Sequence, residues 1–231
     1  MKNIRRFIIL LITLNILLIL ANLEVKGYIY HNDILASKYR VHGIDISHHQ
    51  TRINWSQVDK RYKFVLMKAT EGKDFLDKDF SYNWYKAQQN GFKVGAYHFF
   101  SMQSSGRAQA KYYISKVAKT KGTFPPIIDV EVSSRHKKEK VLRELKTMID
   151  ILEKHYEKTT IIYVDYKAYK NFIENELVDN PLWIRNVKYY PNISEKDRWI
   201  IWQYSNRGRV YGIDGFTDKN VLRYDKMINE L

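Results

Sequence analysis

From Gly43 onward, short runs of β-branched and aromatic residues alternate with segments whose apolar residues recur every three or four positions. This alternation is typical of repeated strand–helix units around a parallel sheet. The runs predict strands at 43–47, 64–70, 93–100, 126–131, 160–165, 182–187, 199–205 and 213–217. Because eight strands can close on themselves, we expect an irregular α/β fold, a TIM-like (β/α) barrel.

The helical segments are fewer than the strands. The strongest pattern covers residues 134–156, where apolar residues recur at three and four and leave a charged face for solvent. Two shorter patterns end near Gly91 and Gly122, since glycine commonly follows a helix. Periodicity is weaker at 48–62 and in the last 25 residues. We therefore expect fewer helices than strands around the barrel.

The first 41 residues differ in character from the rest. Lys2, Arg5 and Arg6 precede an apolar run at 7–21, which is the layout of an export or anchoring signal. We predict a signal peptide or membrane anchor at 1–23, a stem at 24–41 and the folded domain at 42–231. The signal leaves two locations open: the cell envelope, with the domain outside the cytoplasm and held by the anchor, or secretion after cleavage.

Composition excludes several kinds of chemistry. The chain has no cysteine, so disulfides, thiolate metal sites and a cysteine nucleophile are ruled out. The adjacent His48 and His49 point in opposite directions on an extended segment and no HExxH motif is present, so we expect no metal site and no cofactor. The net charge of +14 is spread along the chain, which favours attraction to an anionic envelope over nucleic-acid binding.

Polar residues recur where the predicted strands end. They are Asp45, Glu71, Tyr97, Asp129, Glu131, Tyr163, Gln203 and Tyr204. In a parallel barrel the carboxyl ends of all strands open on one face, so these side chains are expected to meet in one groove. The predicted active site lies there.

The segment Ile127–Glu131 carries two carboxylates that are two positions apart. Side chains alternate along a strand, so Asp129 and Glu131 face one side, about 6.6 Å apart, and Ile128 and Val130 face the outer helices. Two carboxylates in a partly dry groove raise each other's pKa, and a protonated one can serve as general acid in glycoside hydrolysis. A salt-bridged or helix-capping pair is the alternative.

Other residues at the strand ends have two open interpretations. Glu71 contributes to the site or forms an ion pair with the nearby Lys68. The aromatic residues Tyr97, Tyr163, Trp183, Trp202 and Tyr204 stack on sugar rings or belong to the core.

Taken together, the motifs resemble those of the glycoside hydrolase family 25 lysozymes. The resemblance covers about 42–222 and rests on GIDISHHQ (43–50), INW (53–55), KATEG (68–72), GAYHFF (95–100), IIDVE (127–131), IIYVD (161–165), LWI (182–184), WQYS (202–205) and GIDGFTD (212–218). It implies an irregular β/α barrel that cleaves the β-1,4 bond between N-acetylmuramic acid and N-acetylglucosamine in peptidoglycan, without a metal. A monomer that acts on glycan strands is expected.

The resemblance also implies roles for individual residues. Glu131 corresponds to the general acid/base and Asp129 to the group that orients the substrate acetamide, with Asp45 and Asp218 as further acids; Asp214 is the alternative to Asp218. Tyr97, Tyr163, Trp202 and Gln203 correspond to substrate contacts. Arg185 departs from the small residue that commonly follows the LWI block. The competing hypotheses are a glycan-binding barrel without activity and a polyanion-binding structural protein.

Overall fold

The computed structural model describes residues 2–193 and 198–230, and its centre is a sheet closed into a barrel. The strands are β1 (His42–Ile46), β2 (Tyr62–Glu71), β3 (Phe75–Leu76), β4 (Lys93–Phe99), β5 (Ile127–Asp129), β6 (Ile161–Asp165), β7 (Leu182–Arg185), β8 (Trp199–Gly208) and β9 (Thr217–Leu222). Strand β1 pairs with both β2 and β9, which closes the ring, and β3 only extends β2 as a hairpin. The predicted irregular barrel is confirmed.

The last strand differs from the prediction in position and direction. It lies at Thr217–Leu222 instead of 213–217, and it runs antiparallel to both β1 and β8. Residues before it form a turn, because Gly212 (φ 89°) and Gly215 (φ 81°) adopt the left-handed conformation that glycine favours. The barrel is therefore mixed, and its antiparallel strand begins, instead of ending, at the face where the parallel strands end.

Helices cover part of the outside of the barrel. They are α1 (Lys2–Val25), α2 (Asp33–Ala36), α3 (Phe80–Gln89), α4 (Gly106–Lys116), α5 (Lys138–Tyr156) and α6 (Tyr166–Ala168), which continues into a π-helical turn (Tyr169–Ile173); short 3-10 helices lie at His48–Gln50 and Asp225–Ile228. The apolar face predicted for α5 is buried. α4 and α5 meet at Gly106, where an added Cβ would lie 1.8 Å from the Glu144 carbonyl oxygen.

Two apolar layers follow from the alternation of side chains along the strands. Phe64, Leu66 and Ile127 belong to a cluster inside the barrel. Val65 and Ile128 belong to a larger cluster between the strands and the outer segments. The interior is thus filled below the strand ends, and an open groove lies above that filling.

The segment predicted as a stem lies along the barrel. Asn32 Nδ2 donates to the carbonyl oxygens of Val187 (3.0 Å) and Tyr204 (3.1 Å), and Lys219 Nζ lies 2.8 Å from Asp33 Oδ1. Farther on, the ring of Tyr39 contacts Trp199 and Trp202 edge-on. Residues 27–41 therefore cover the outward face of β8. The division of the chain at 23/24 and 41/42 stays a prediction.

Helix α1 has no buried residue, and its residues up to Asn22 are exposed in the structure. It has 24 residues, and its most apolar window of 18 residues has a mean hydropathy of 2.4. A helix of that length rises about 36 Å, enough for a hydrocarbon core of about 30 Å. A membrane anchor and a signal sequence both fit these properties.

Candidate active site

A groove of about 370 Å³ opens at the carboxyl ends of the parallel strands. Four acidic residues line it: Asp45, Asp129, Glu131 and Asp218. Its other lining side chains include Tyr97, Tyr163, Trp183, Arg185, Gln203 and Asn206. The volume is within the range of sites that bind small ligands or one segment of a polymer.

Different elements bring the four acids together. Asp45 on β1 pairs in register with Asp218 on β9, and because these strands are antiparallel, Asp218 enters the groove at the start of its strand. Asp129 is the last residue of β5. Glu131 follows two residues later, beyond the strand end instead of within the strand as predicted, yet it still lines the groove. All four predicted acids share one site.

Asp45 is held by a hydrogen-bond network on the groove floor. Its Oδ1 accepts from Gln203 Nε2 (3.0 Å) and from Asn220 Nδ2 (2.6 Å). Gln203 Oε1 accepts from the Tyr163 hydroxyl (3.0 Å), and Asn220 Oδ1 accepts from Trp183 Nε1 (2.8 Å). Since the indole nitrogen only donates, it fixes which way the Asn220 amide points. The network holds the Asp45 carboxyl in one orientation.

Burial makes the acids of the groove hold their protons more tightly. It raises the pKa of Asp45 to about 6, against the opposing hydrogen bonds from Asn220 and Gln203. Burial, together with the charge of Glu131, raises the pKa of Asp129 well above its usual range. Like charges in a poorly solvated groove resist joint ionisation. The groove therefore holds at least one proton near neutral pH.

Asp129 and Glu131 differ in their surroundings. Asp129 is buried, and its Oδ1 has no hydrogen-bond partner within the described residues. Glu131 is exposed at the groove mouth, where partial burial raises its pKa and the charge of Arg185 opposes that rise. An unpartnered buried oxygen requires a donor to satisfy it. Asp129 is thus suited to accept a substrate N–H, and Glu131 to exchange a proton with a group that enters from solvent.

Replacing Arg185 with methionine is expected to move the pH–activity profile towards higher pH, by about one unit. Arg185 lowers the pKa of Glu131, Asp45 and Asp218 by its charge, so without it each acid keeps its proton to a higher pH. The profile of kcat/KM measures the shift. Arg107→Met removes an exposed arginine on α4 and is the control; an unmoved profile for Arg185→Met would refute this electrostatic role.

The free energy of unfolding is expected to fall as pH rises from 5 to 8, and replacing Asp218 with asparagine is expected to make that fall smaller. Burial and the charge of Asp45 raise the Asp218 pKa to about 8 from 3.8. An acid whose pKa is higher folded than unfolded destabilises the fold as pH rises between those values. Urea unfolding at pH 5 and pH 8 should show that the free energy of unfolding falls by about 1 kcal/mol or more less in the variant than in the wild type. Asp150→Asn, at an exposed position, is the control. A change in the free energy of unfolding that is the same at pH 5 and at pH 8 for Asp218→Asn would contradict the prediction.

The structure separates the aromatic residues that were predicted as substrate contacts. Tyr97, Tyr163 and Trp183 line the groove together with Gln203. Trp202 and Tyr204 do not line the groove; they are buried in the outer apolar layer. The reason is the strand period, because the neighbours of an inward Gln203 on β8 must point outward. Their burial favours core packing, the other interpretation of these two residues.

Three further polar candidates lie away from the groove or have another partner. Lys68 Nζ forms an ion pair with Glu71 Oε2 at 2.7 Å, the second of the two interpretations of Glu71, which does not line the groove. Asp214 lines a separate cavity. His48 Nδ1 bonds to Asp77 Oδ2 at 2.9 Å, whereas His49 lines the groove.

Sequence reasoning missed several residues at the groove. Arg185 was noted as an unusual residue but was given no role, although it shares a face of β7 with Trp183. Asn220 was not identified because its strand was placed too early. Asn206 lies in the part of β8 beyond the predicted strand 199–205, and Gln50 lies in the short 3-10 helix His48–Gln50, where periodicity is weak. Alternation along β7 and β9 could have identified the first two.

Comparison with known proteins gives consistent matches. The family model for glycosyl hydrolases family 25 matches residues 44–213. Lysozyme M1 of Streptomyces globisporus is 32% identical over 78% of this chain and 67% of its own length. YegX, an uncharacterized protein of Escherichia coli O157:H7, is 33% identical over 86% of this chain and 74% of its own. A family 25 glycosyl hydrolase from Bacillus anthracis has a structure with TM-score 0.78 and 38% identity, covering 83% of this chain and 94% of the other.

Proposed function

The chain belongs to glycosyl hydrolases family 25 and is a glycoside hydrolase, and from this premise we propose that it hydrolyses the glycan strands of bacterial peptidoglycan. We propose further that it is a muramidase, which cleaves the β-1,4 bond between N-acetylmuramic acid and N-acetylglucosamine. The similarity to lysozyme M1 supports this substrate. The observation that carries the proposal is the convergence of four acidic residues, each with a raised pKa, on one open groove.

In the proposed reaction Glu131 acts as general acid. Its exposed carboxyl at the groove mouth donates a proton to the glycosidic oxygen while the bond from that oxygen to C1 of the muramic acid breaks. The carbonyl oxygen of the substrate's 2-acetamido group attacks C1 and forms a cyclic oxazolinium intermediate. Glu131, now ionised, then takes a proton from the water that opens the ring, which restores the acid.

Asp129 is proposed to orient the acetamido group and to stabilise the charge that develops on it. The unpartnered Oδ1 of Asp129 can accept the acetamide N–H. That donor favours the ionised form of Asp129, so substrate binding would leave the shared proton on Glu131. The high pKa of Asp129 makes it a strong acceptor when the amide nitrogen becomes positive.

The remaining groove residues are proposed to bind and orient the sugar. Asp45, held by its two amide donors, can accept hydrogen bonds from substrate hydroxyl groups, and Asp218 lies beside it in register. Tyr97, which is partly exposed in the groove, offers apolar surface against which a pyranose ring can pack. The guanidinium of Arg185, which forms no ion pair or hydrogen bond with any side chain in the described ranges, is available to an anionic group of the substrate.

The enzyme is proposed to work outside the cytoplasm, in the cell envelope, with α1 retained as a membrane anchor. The length and hydropathy of α1 are sufficient for a membrane span, which retention requires. When cells that express the enzyme with a C-terminal tag are fractionated, the full-length chain should be found in the membrane fraction. A shortened chain in the medium would show that α1 is cleaved.

The proposed activity is tested by incubating the purified enzyme with purified bacterial walls and with chitin, a polymer of N-acetylglucosamine alone. We expect soluble sugar fragments from the walls and none from chitin, with no new amino termini on the peptides. Binding to walls without release of fragments would favour the inactive glycan-binding barrel. Binding that disappears at high salt would favour a polyanion-binding protein.

A further inference from the structure

Helix α1 ends directly beside the barrel. Its last residue is Val25, and Gly27 is already buried against the domain. Gly27 has φ 77°, and a Cβ atom added there would lie 1.9 Å from the carbonyl oxygen of Arg207. Its own carbonyl oxygen accepts from the backbone N–H of Arg209 at 3.2 Å. The chain is therefore fixed to the barrel within two residues of the helix end.

The point of attachment lies at the rim of the groove. Arg207 follows Asn206, which lines the groove. Phe216, whose ring also lies close to Gly27, accepts a hydrogen bond at its carbonyl oxygen from Gln50 Nε2 (3.0 Å), another lining residue. Helix α1 therefore leaves the barrel at the face that carries the four acids.

A second loop of the same face holds the segment after α1. The hydroxyl of Tyr30 donates to the Val187 carbonyl oxygen at 2.9 Å, and His31 Nε2 lies 3.0 Å from the Lys188 carbonyl oxygen. Residues 187 and 188 follow the carboxyl end of β7. Contacts with two loops restrict rotation of the segment about either one.

The surface around this attachment combines aromatic and basic side chains. The rim surface consists of the exposed residues Lys26, Tyr28, Lys188, Tyr189, Arg207 and Phe216. Tyr28 and Tyr189 are 67% and 72% exposed, far more than tyrosines of a core. Tyrosine at the headgroup level and lysine or arginine facing anionic lipids are typical of surfaces that lie on a bilayer.

We propose that the docked segment holds the rim surface against the membrane, so that the groove acts on glycan strands that lie next to the bilayer. The inference rests on the proposed function, in which α1 is retained. The apolar run ends at Ala21, so Val25 lies only about 6 Å beyond the end of that run. The rim surface then contacts the anionic lipid headgroups, and glycan far from the membrane is out of reach.

The absence of cysteine from the sequence allows a direct test with single-cysteine variants. The full-length chain is placed in phosphatidylglycerol/phosphatidylcholine vesicles that contain a lipid with a nitroxide on its headgroup. A fluorophore is attached in Tyr189→Cys at the rim, or in Lys121→Cys at an exposed position before β5, at the opposite end of the barrel. We expect the nitroxide to quench the Tyr189→Cys label several-fold more; equal quenching would overturn the proposal.

A spacer variant tests whether the docked segment sets this height. Twenty glycine and serine residues between Val25 and Lys26 leave the contacts after Gly27 in place and add a flexible reach of roughly 25 Å. Quenching of the Tyr189→Cys label should fall to the level of the Lys121→Cys label. Unchanged quenching, or a mature chain in cells that lacks α1, would overturn the proposal.

Failure of the inference can be told apart from failure of the proposed function. Both labelled variants and the spacer variant are also incubated with purified walls, which reach the groove without a membrane. Wall hydrolysis with equal quenching of the two labels would reject the membrane-facing groove alone. Strong quenching at the rim without wall hydrolysis would reject the peptidoglycan activity, and with it the proposal about membrane-proximal glycan.

Discussion

Glu131→Gln is expected to lower the rate of wall hydrolysis by 10²- to 10⁴-fold, the range that general acid catalysis contributes. Glutamine preserves the size of the side chain but cannot donate a proton to the glycosidic oxygen. Its neutral amide also removes one charge from a groove whose acids raise each other's pKa, so stability should not fall. The decrease in turbidity of a wall suspension measures the rate.

The matched control for this variant is Glu139→Gln, which neutralises an exposed glutamate in the first turn of α5, away from the groove. It should hydrolyse walls at the wild-type rate. Binding of Glu131→Gln to walls should also persist, because Asp45 and the aromatic residues remain. A Glu131→Gln enzyme within a few-fold of wild type would show that another acid donates the proton.

Removing residues 27–41 is expected to destabilise the barrel strongly. A chain of residues 42–231 lacks Tyr39 and therefore exposes the rings of Trp199 and Trp202, which Tyr39 contacts and which are buried in the full-length chain. Full burial of a large apolar side chain contributes about 1.5–3 kcal/mol, so the loss is on the order of 5 kcal/mol, a large part of a typical domain stability.

The comparison is with a chain of residues 27–231, which also lacks α1 but keeps the docked segment. Urea unfolding followed by tryptophan fluorescence should give a clearly higher midpoint for the longer chain. Equal midpoints for the two chains would support the predicted domain boundary at 41/42 and a loosely attached stem. The result therefore also tests whether the docked segment is part of the folded unit.

Local patterns predicted most of the barrel. Strands such as β4 and β6 are apolar on both faces because the inner and outer layers bury them, so their sequences stand out. The spacing of Asp129 and Glu131 predicted that both face one groove, and both line it although Glu131 lies beyond the end of β5. A strand whose side chains are apolar because they are buried can be located from the sequence alone.

The strand β9 could not be located in this way. Its inward residues Asp218 and Asn220 are polar because they serve the groove, and Lys219 between them bonds to Asp33 outside the barrel. Polar residues on both faces resemble a loop. Its antiparallel direction follows from closure of the barrel, which no local pattern records.

Two other differences between expectation and structure have simple physical origins. Trp202, Gln203 and Tyr204 were all predicted to contact substrate, although adjacent residues of a strand face opposite sides. Residues 24–41 were predicted as a stem because they lie between the apolar segment and the folded domain, whereas their contacts with β8 use backbone carbonyl groups and isolated rings. Contacts of that kind leave no regular signal in a sequence.

The identity of the cleaved bond is the most direct test of the account. Defined peptidoglycan is digested with the wild-type enzyme, the fragments are reduced with borohydride, and their new ends are identified by mass spectrometry. A muramidase predicts muramitol at every new end. Ends of reduced N-acetylglucosamine, or release of peptides alone, would contradict the proposed activity.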